Sequence, residues 1–257
     1  MRAFGRRLRR PAWIVLQLAV VGATLTGAVA LGRLAVEHAT TSPAFALDDI
    51  QVRGNHRVSR EAILEAGGLL PGTNVFAIET TDAAARIRGL PWIAHAEVTR
   101  RLPRSVSVEI RERRAIALAA MGALYLVAED ATVFKRVGSQ DPIDLPVITG
   151  IDRARYLRDR TWATATLLEA IALLHDYDAA GLGERDALQE IHVERDDGLS
   201  VFVGDDAVYV RLGHGPYRPK LTRLGSVLAD LARRGARPAY VYLDGRARPE
   251  RVVVKLR

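Results

Sequence analysis

The chain has 257 residues, no cysteine, 49% hydrophobic and 26% charged residues, and a formal net charge of +7. Without cysteine there is no disulfide scaffold and no thiolate metal site. The charge does not mark a nucleic-acid binder: Arg2, Arg6, Arg7, Arg9 and Arg10 account for five of the seven net charges, and a phosphate-binding surface would concentrate more in the folded part.

Ala12 to Gly32 carries no charge, and Gln17 is its only strongly polar side chain. As a helix it reaches about 31 Å, one hydrocarbon core. The arginine arm before it, without an acid, predicts a cytoplasmic N-terminus by the positive-inside rule. Ala28-Val29-Ala30 offers a small-x-small cleavage site. The apolar run, however, exceeds the roughly 7–15 residues of a signal-peptide core. The expected organisation is a cytoplasmic arm over 1–11, a transmembrane helix over 12–33 and a stem over 34–44, where Thr40, Thr41, Ser42 and Pro43 interrupt the pattern.

A first folded unit is expected over 45–113. Phe45, Leu47, Ile50 and Val52 predict a strand stopped at Gly54-Asn55. Ser59 caps a helix over Arg60–Ala66, and Thr81 or Asp82 caps another through Arg88. Ala94, Ala96 and Val98 alternate on one strand, and Val106, Val108 and Ile110 on the next, with a turn at Leu102-Pro103-Arg104. The order is β-α-α-β-β, with a core of Ile50, Val52, Ile63, Leu64, Ile87, Val98, Val106, Val108 and Ile110.

A second unit, 114–257, reads as strands at Ala115–Ala119, Leu124–Val127, Thr132–Lys135 and Val147–Thr149, then a helix over Trp162–Tyr177. Leu167, Leu168, Ile171 and Leu174 form the apolar stripe of that helix. Strands follow at Leu188–Glu194, Leu199–Val203 and Val208–Leu212, separated by Asp-Asp-Gly and Gly-Asp-Asp turns. A helix over Lys220–Arg234 places Leu221, Leu224, Val227, Leu228 and Leu231 on one face. Two strands, Ala239–Leu243 and Arg251–Leu256, close the chain around Asp244-Gly245. The fold class is α+β, with a mostly antiparallel sheet in the second unit and helices on one face.

These residues carry a family resemblance. GNHRVS after the first strand, Pro91-Trp92-Ile93, Ala96-Glu97-Val98, Arg100-Arg101-Leu102-Pro103 and Glu112-Arg113 resemble a POTRA domain, and within that class the POTRA of the FtsQ/DivIB family of bacterial cell-division proteins. Leu145-Pro146-Val147-Ile148-Thr149-Gly150, Val210-Arg211-Leu212-Gly213, Lys220-Leu221 and Tyr240-Val241-Tyr242-Leu243 resemble the C-terminal domain of that family. The resemblance implies a scaffold of the division machinery at the septum, in the inner membrane. It implies recruitment and other divisome contacts through the POTRA domain, and binding of FtsB-like and FtsL-like partners through the closing strands. On that basis the partner-binding residues are Tyr240, Val241, Tyr242, Leu243, Arg251, Val252, Val253, Val254, Lys255 and Leu256. Where many members have Asp-Leu-Arg, this chain has Tyr242-Leu243-Asp244.

Independently of the resemblance, alternation in Arg251–Leu256 sets Val252 and Val254 inward and Arg251, Val253 and Lys255 outward. The last strand of a sheet often lies at an edge, where unpaired N–H and C=O groups accept an incoming strand. Catalytic patterns are missing. The six histidines show no ligand spacing, there is no Gly-x-Ser-x-Gly elbow, and Gly213-His214-Gly215-Pro216 lacks the Lys-Ser/Thr of a phosphate loop. The expectation is no enzyme, no metal or other cofactor, no small-molecule substrate and no nucleic acid. The alternatives are a POTRA-bearing assembly factor for outer-membrane proteins and a membrane-anchored cell-wall enzyme.

Overall fold

The computed structural model describes residues 9–245 and 251–257; the arm ahead of Arg9 and the connection 246–250 lie outside the described residues. Helix α1 runs over Arg9–Thr41. Its segment Gln17–Thr41 is long and apolar enough to cross a membrane and buries none of its side chains, so it fits a single transmembrane span. The stem expected from Leu34 is helical through Thr41. The Thr40 and Thr41 hydroxyls donate to the carbonyls of Val36 and Glu37, four residues back, so the last turn accommodates these threonines. Pro43 ends it, opening a 3₁₀ turn capped by Ser42.

The chain divides into two units after Glu112. In the first, β1 (Asp49–Arg53), α2 (Arg60–Gly67), α3 (Thr80–Arg88), β2 (Ile93–Arg101) and β3 (Ser105–Glu112) follow in order. The sheet order is β1-β3-β2, with β1 parallel and β2 antiparallel to β3. Ile63, Ile87, Ile93, Val106 and Val108 are fully buried, whereas Val52 and Leu64 only flank the core. A bulge between Ile93 and His95 shifts the β2 register, so Ile93 takes the buried place that strict alternation assigns to Ala94. α3 begins at Thr80 with Glu79 at the cap position, two or three residues ahead of the expected caps Thr81 and Asp82, and Glu79 makes no side-chain cap bond. Ser59 caps α2 as expected. The GNHRVS segment is held by Glu112, whose carboxylate accepts the N–H groups of His56, Arg57 and Val58 at 2.8–3.1 Å. Burial works to raise the Glu112 carboxyl, but those donors outweigh it and hold it below its usual value. Gly54 has φ +84°, and an added Cβ would lie 2.1 Å from the Ile110 carbonyl oxygen, so this tight exit from β1 requires glycine.

The second unit contains β4 (Ala115–Ala120), β5 (Leu124–Ala128), β6 (Val133–Arg136), β7 (Val147–Thr149), α4 (Arg153–Arg158), α5 (Arg160–Ala179), β8 (Leu188–Val193), β9 (Leu199–Val203), β10 (Val208–Gly213), α6 (Arg218–Arg233), β11 (Pro238–Tyr242) and β12 (Val253–Leu256). They form one sheet in the order β12-β11-β10-β9-β8-β7-β4-β5-β6. Most neighbours are antiparallel, and β4–β7, β7–β8 and β10–β11 are parallel. α4 was not expected; Asp152 caps it, and Asp159 then caps α5, which therefore starts ahead of Trp162. The buried face of α5 centres on Ala163, Leu167, Ala170, Leu174 and Tyr177, which leaves Leu168 46% exposed and corrects the expected stripe. α6 buries Leu221 and Leu224 fully, while Val227, Leu228 and Leu231 are half-buried. Both helices share one core with Ile191, Val201, Val210 and Val241 of the sheet.

Candidate functional site

The closing strands lie where the sheet ends. β12 is one edge and pairs antiparallel with β11, Tyr240 opposite Lys255, Val241 opposite Val254 and Tyr242 opposite Val253. β11 pairs parallel with β10, Tyr209 opposite Tyr240 and Arg211 opposite Tyr242. Because side chains alternate across a strand, Val201, Val210, Val241 and Val254 form one row on the helix side. Their neighbours form the opposite face.

The expected binding residues therefore separate. Val241 and Leu243 are 0% and 1% exposed and belong to the core; they hold β11 but present no side chain outward. Val252 and Val254 are half-buried and pack on the same core. Arg251, Val253, Lys255 and Leu256 are exposed, Val253 at 47% and Leu256 at 51%. Tyr240 and Tyr242 are half-buried on the outer face. The regular part of the last strand is Val253–Leu256, so Arg251 and Val252 precede it.

The outer face is organised by Tyr240 and Tyr242 together with Phe202, Tyr209 and Arg211, which were not among the expected binding residues. Phe202 meets Tyr209 edge-on at 5.3 Å, Tyr209 stacks on Tyr240 at 5.5 Å, and Tyr242 lies 6.3 Å beyond. Under this ladder, Glu194 accepts from Ser200 at 2.5 Å and Tyr209 at 2.6 Å. Arg211 reaches Glu194 at 3.1 Å, Asp196 at 2.9 Å and Asp244 at 3.6 Å. Burial works to raise the Glu194 carboxyl, but the two hydroxyls and Arg211 outweigh it and hold it below its usual value. Burial raises the Tyr240 phenol, with Tyr209 and Tyr242 adding to it. Asp244 fits because position 213 is glycine with φ +67°; a Cβ there would lie 2.0 Å from Asp244 Oδ1. The alternating Tyr209 and Arg211 in β10, facing the acidic turn at Asp196-Asp197, were the available sequence signal.

Gly213-His214-Gly215-Pro216 joins β10 to α6, and Lys220 Nζ donates to the carbonyls of Leu212 and His214 at 2.6 and 2.7 Å, tying helix to strand. Further from the edge, on β7 and β8, Thr149 Oγ1 sits between Glu190 at 2.5 Å and His192 at 2.7 Å, extending the polar face. Among the described residues no group of three or more His, Asp or Glu side chains could hold a metal ion. What this site offers is a row of backbone groups on an outermost strand, with exposed apolar and cationic side chains beside a rigid aromatic ladder.

Comparison with known proteins matches two family models along the chain. The POTRA domain, FtsQ-type, covers residues 45–113. Cell division protein FtsQ/DivIB, C-terminal, covers residues 115–246. Among curated relatives, the cell division protein FtsQ of Anaeromyxobacter sp. (strain K) is 37% identical over 98% of this chain and 84% of its own length. That of Myxococcus fulvus is 36% identical over 93% of this chain and 84% of its own. That of Syntrophotalea carbinolica is 30% identical over 95% of this chain and 84% of its own.

Proposed function

Because the chain belongs to the FtsQ/DivIB family of cell-division proteins, we propose that it is a non-catalytic scaffold of the divisome which docks FtsB-like and FtsL-like partners on the β12 edge. α1 anchors it in the inner membrane at the septum, with the N-terminus in the cytoplasm and both folded units outside. The POTRA unit serves recruitment and contacts with other division proteins. The observation that carries the docking role is the outermost position of β12 with Val253 and Leu256 open to solvent. An incoming segment would extend the sheet by β-augmentation, its backbone taking the unpaired N–H and C=O groups of β12 and its side chains meeting Val253 and the Tyr240–Tyr242 ladder. The match to the FtsQ/DivIB C-terminal model over 115–246 favours this reading over an outer-membrane assembly factor.

The test is localisation of a full-length tagged chain in dividing cells. It is expected at midcell, and a chain shortened to end at Arg251 should still reach midcell while failing to bring the FtsB-like partner there. Spread around the whole periphery, or normal partner recruitment without β12, would overturn the proposal. External protease on spheroplasts should digest both folded units and spare an N-terminal tag; survival of the folded units would reverse the orientation.

A further inference from the structure

The other end of the nine-stranded sheet is β6, and its surroundings differ from those of β12 in sign. A groove of about 260 Å³ opens between β6 and α4. It is lined by Lys135, Arg136, Arg153 and Arg160 together with Tyr125, Phe134 and Tyr156, and no carboxylate lines it. Lys135 is paired with Asp141. Among the described residues no carboxylate pairs with Arg136, Arg153 or Arg160. Instead Arg153 lies over the Tyr125 ring at 5.6 Å and donates to its hydroxyl, and Arg160 lies over Tyr156 at 4.3 Å. The neighbouring acids are engaged locally: Asp152 and Asp159 cap α4 and α5. Leu157, on the groove wall, is 54% exposed.

We propose that this groove and the β6 edge form a second docking strip, for an extended acidic segment of another polypeptide. Three features fit one occupant. As an outermost strand, β6 presents unpaired backbone groups along which an extended chain can add. The arginines held over aromatic rings are positioned to receive carboxylates that alternate along such a chain, so the charge is complementary to an acidic segment and repels a basic one. Between the arginines, Leu157 and Tyr156 give apolar surface for the intervening side chains. The site is separate from β12 by the full width of the sheet, so both edges can be occupied together.

The experiment uses the full chain in nanodiscs of zwitterionic lipid and a fluorescein-labelled peptide of five Glu-Val repeats, read by fluorescence anisotropy. The peptide is expected to bind, and five Lys-Val repeats are expected not to. Arg153→Glu and Arg136→Glu should each weaken binding at least tenfold, while Val253→Ser, at the opposite edge, should leave it unchanged. Peptide methylated on every backbone nitrogen, which leaves no N–H to pair with a strand on either edge, should also lose at least tenfold. Equal binding of the methylated peptide would mean capture by charge alone and would overturn strand addition. Binding that ignores both arginine substitutions would overturn the site. Melting temperatures accompany each variant; should Arg153→Glu unfold the chain, Arg136→Glu, at an exposed position, decides the matter.

Discussion

On β9 to β12, the row Val201, Val210, Val241 and Val254 faces the helices, and the interleaved residues Ser200, Phe202, Tyr209, Arg211, Tyr240, Tyr242 and Val253 face the other way. The first row is dry: three of its valines are completely buried and the fourth, at the edge, is half-buried. The second is neither dry nor simply solvated. Its polar groups satisfy one another through Glu194 and Arg211, and its rings stack across strands. Two faces cut from the same strands thus divide the work. The inner one stabilises by removing apolar surface from water, about 25 cal/mol per Å². The outer one fixes β11 and its neighbours, so that in the proposed docking little ordering would remain for β12 to accept a strand.

The largest effect belongs to the inner row. Val210→Asp would bury an unpaired charge, or force its neutralisation, and should destabilise the second unit by about 4 kcal/mol or more. Chemical denaturation of the full chain in detergent checks this; a variant as stable as the wild type would mean that the inner and outer faces have been exchanged. Next comes the arginine that organises the outer face. Arg211→Ala leaves Glu194, Asp196 and Asp244 without their shared cation and should cost about 2 kcal/mol, with Arg211→Lys costing less because it keeps the charge and loses only the planar fork. If alanine and lysine behave alike, charge is irrelevant there and the outer face is held by its rings.

Much of the inner face was legible in the sequence, because alternation of Val and Ile with polar residues has only one reading once one face is buried. The β-α-α-β-β order of the first unit was legible for the same reason, with Gly54 and Ser59 as punctuation. The misses have local causes. Ile93 displaced Ala94 through a bulge, which strict period-two counting has no means of seeing. α1 runs past Arg33 because Leu34-Ala35-Val36-Glu37 hold no helix breaker, while the Thr40 and Thr41 that read as a break fit its last turn by bonding back to carbonyls. α4 is too short to show a helical period and is recognisable only by its cap, Asp152. At the candidate site, the outward facing of Val253 followed from alternation, but Val241 and Leu243 were assigned by the family resemblance alone and are core. The sequence offered only Tyr209 and Arg211 beside the acidic Asp196-Asp197 turn as a signal of the Arg211 network, because its members, Glu194, Asp196, Arg211 and Asp244, come together only through strand order.

A smaller effect concerns acid. Glu194 in the folded chain titrates below its ordinary value of 4.5. It therefore contributes stability that is fully present above that value and is lost as the pH falls through the lower folded value. Glu112 does the same for the first unit. Melting temperature should drop as pH is lowered below 4.5, and Glu194→Gln should flatten that drop in the second unit alone. A drop of unchanged steepness in the variant would remove Glu194 from the acid response.

The smallest effect on stability is expected at Val253, on the outward face of the outermost strand, where nothing in the core depends on it. Binding should respond in the opposite way, which makes this position the most direct test of docking at β12. The measurement is the affinity of the full chain, in nanodiscs, for the FtsB-like partner before and after Val253→Glu. The melting temperature should change by no more than a degree or so, while the affinity falls at least tenfold, a loss of about 1.4 kcal/mol or more. Unchanged affinity would remove β12 from the interface.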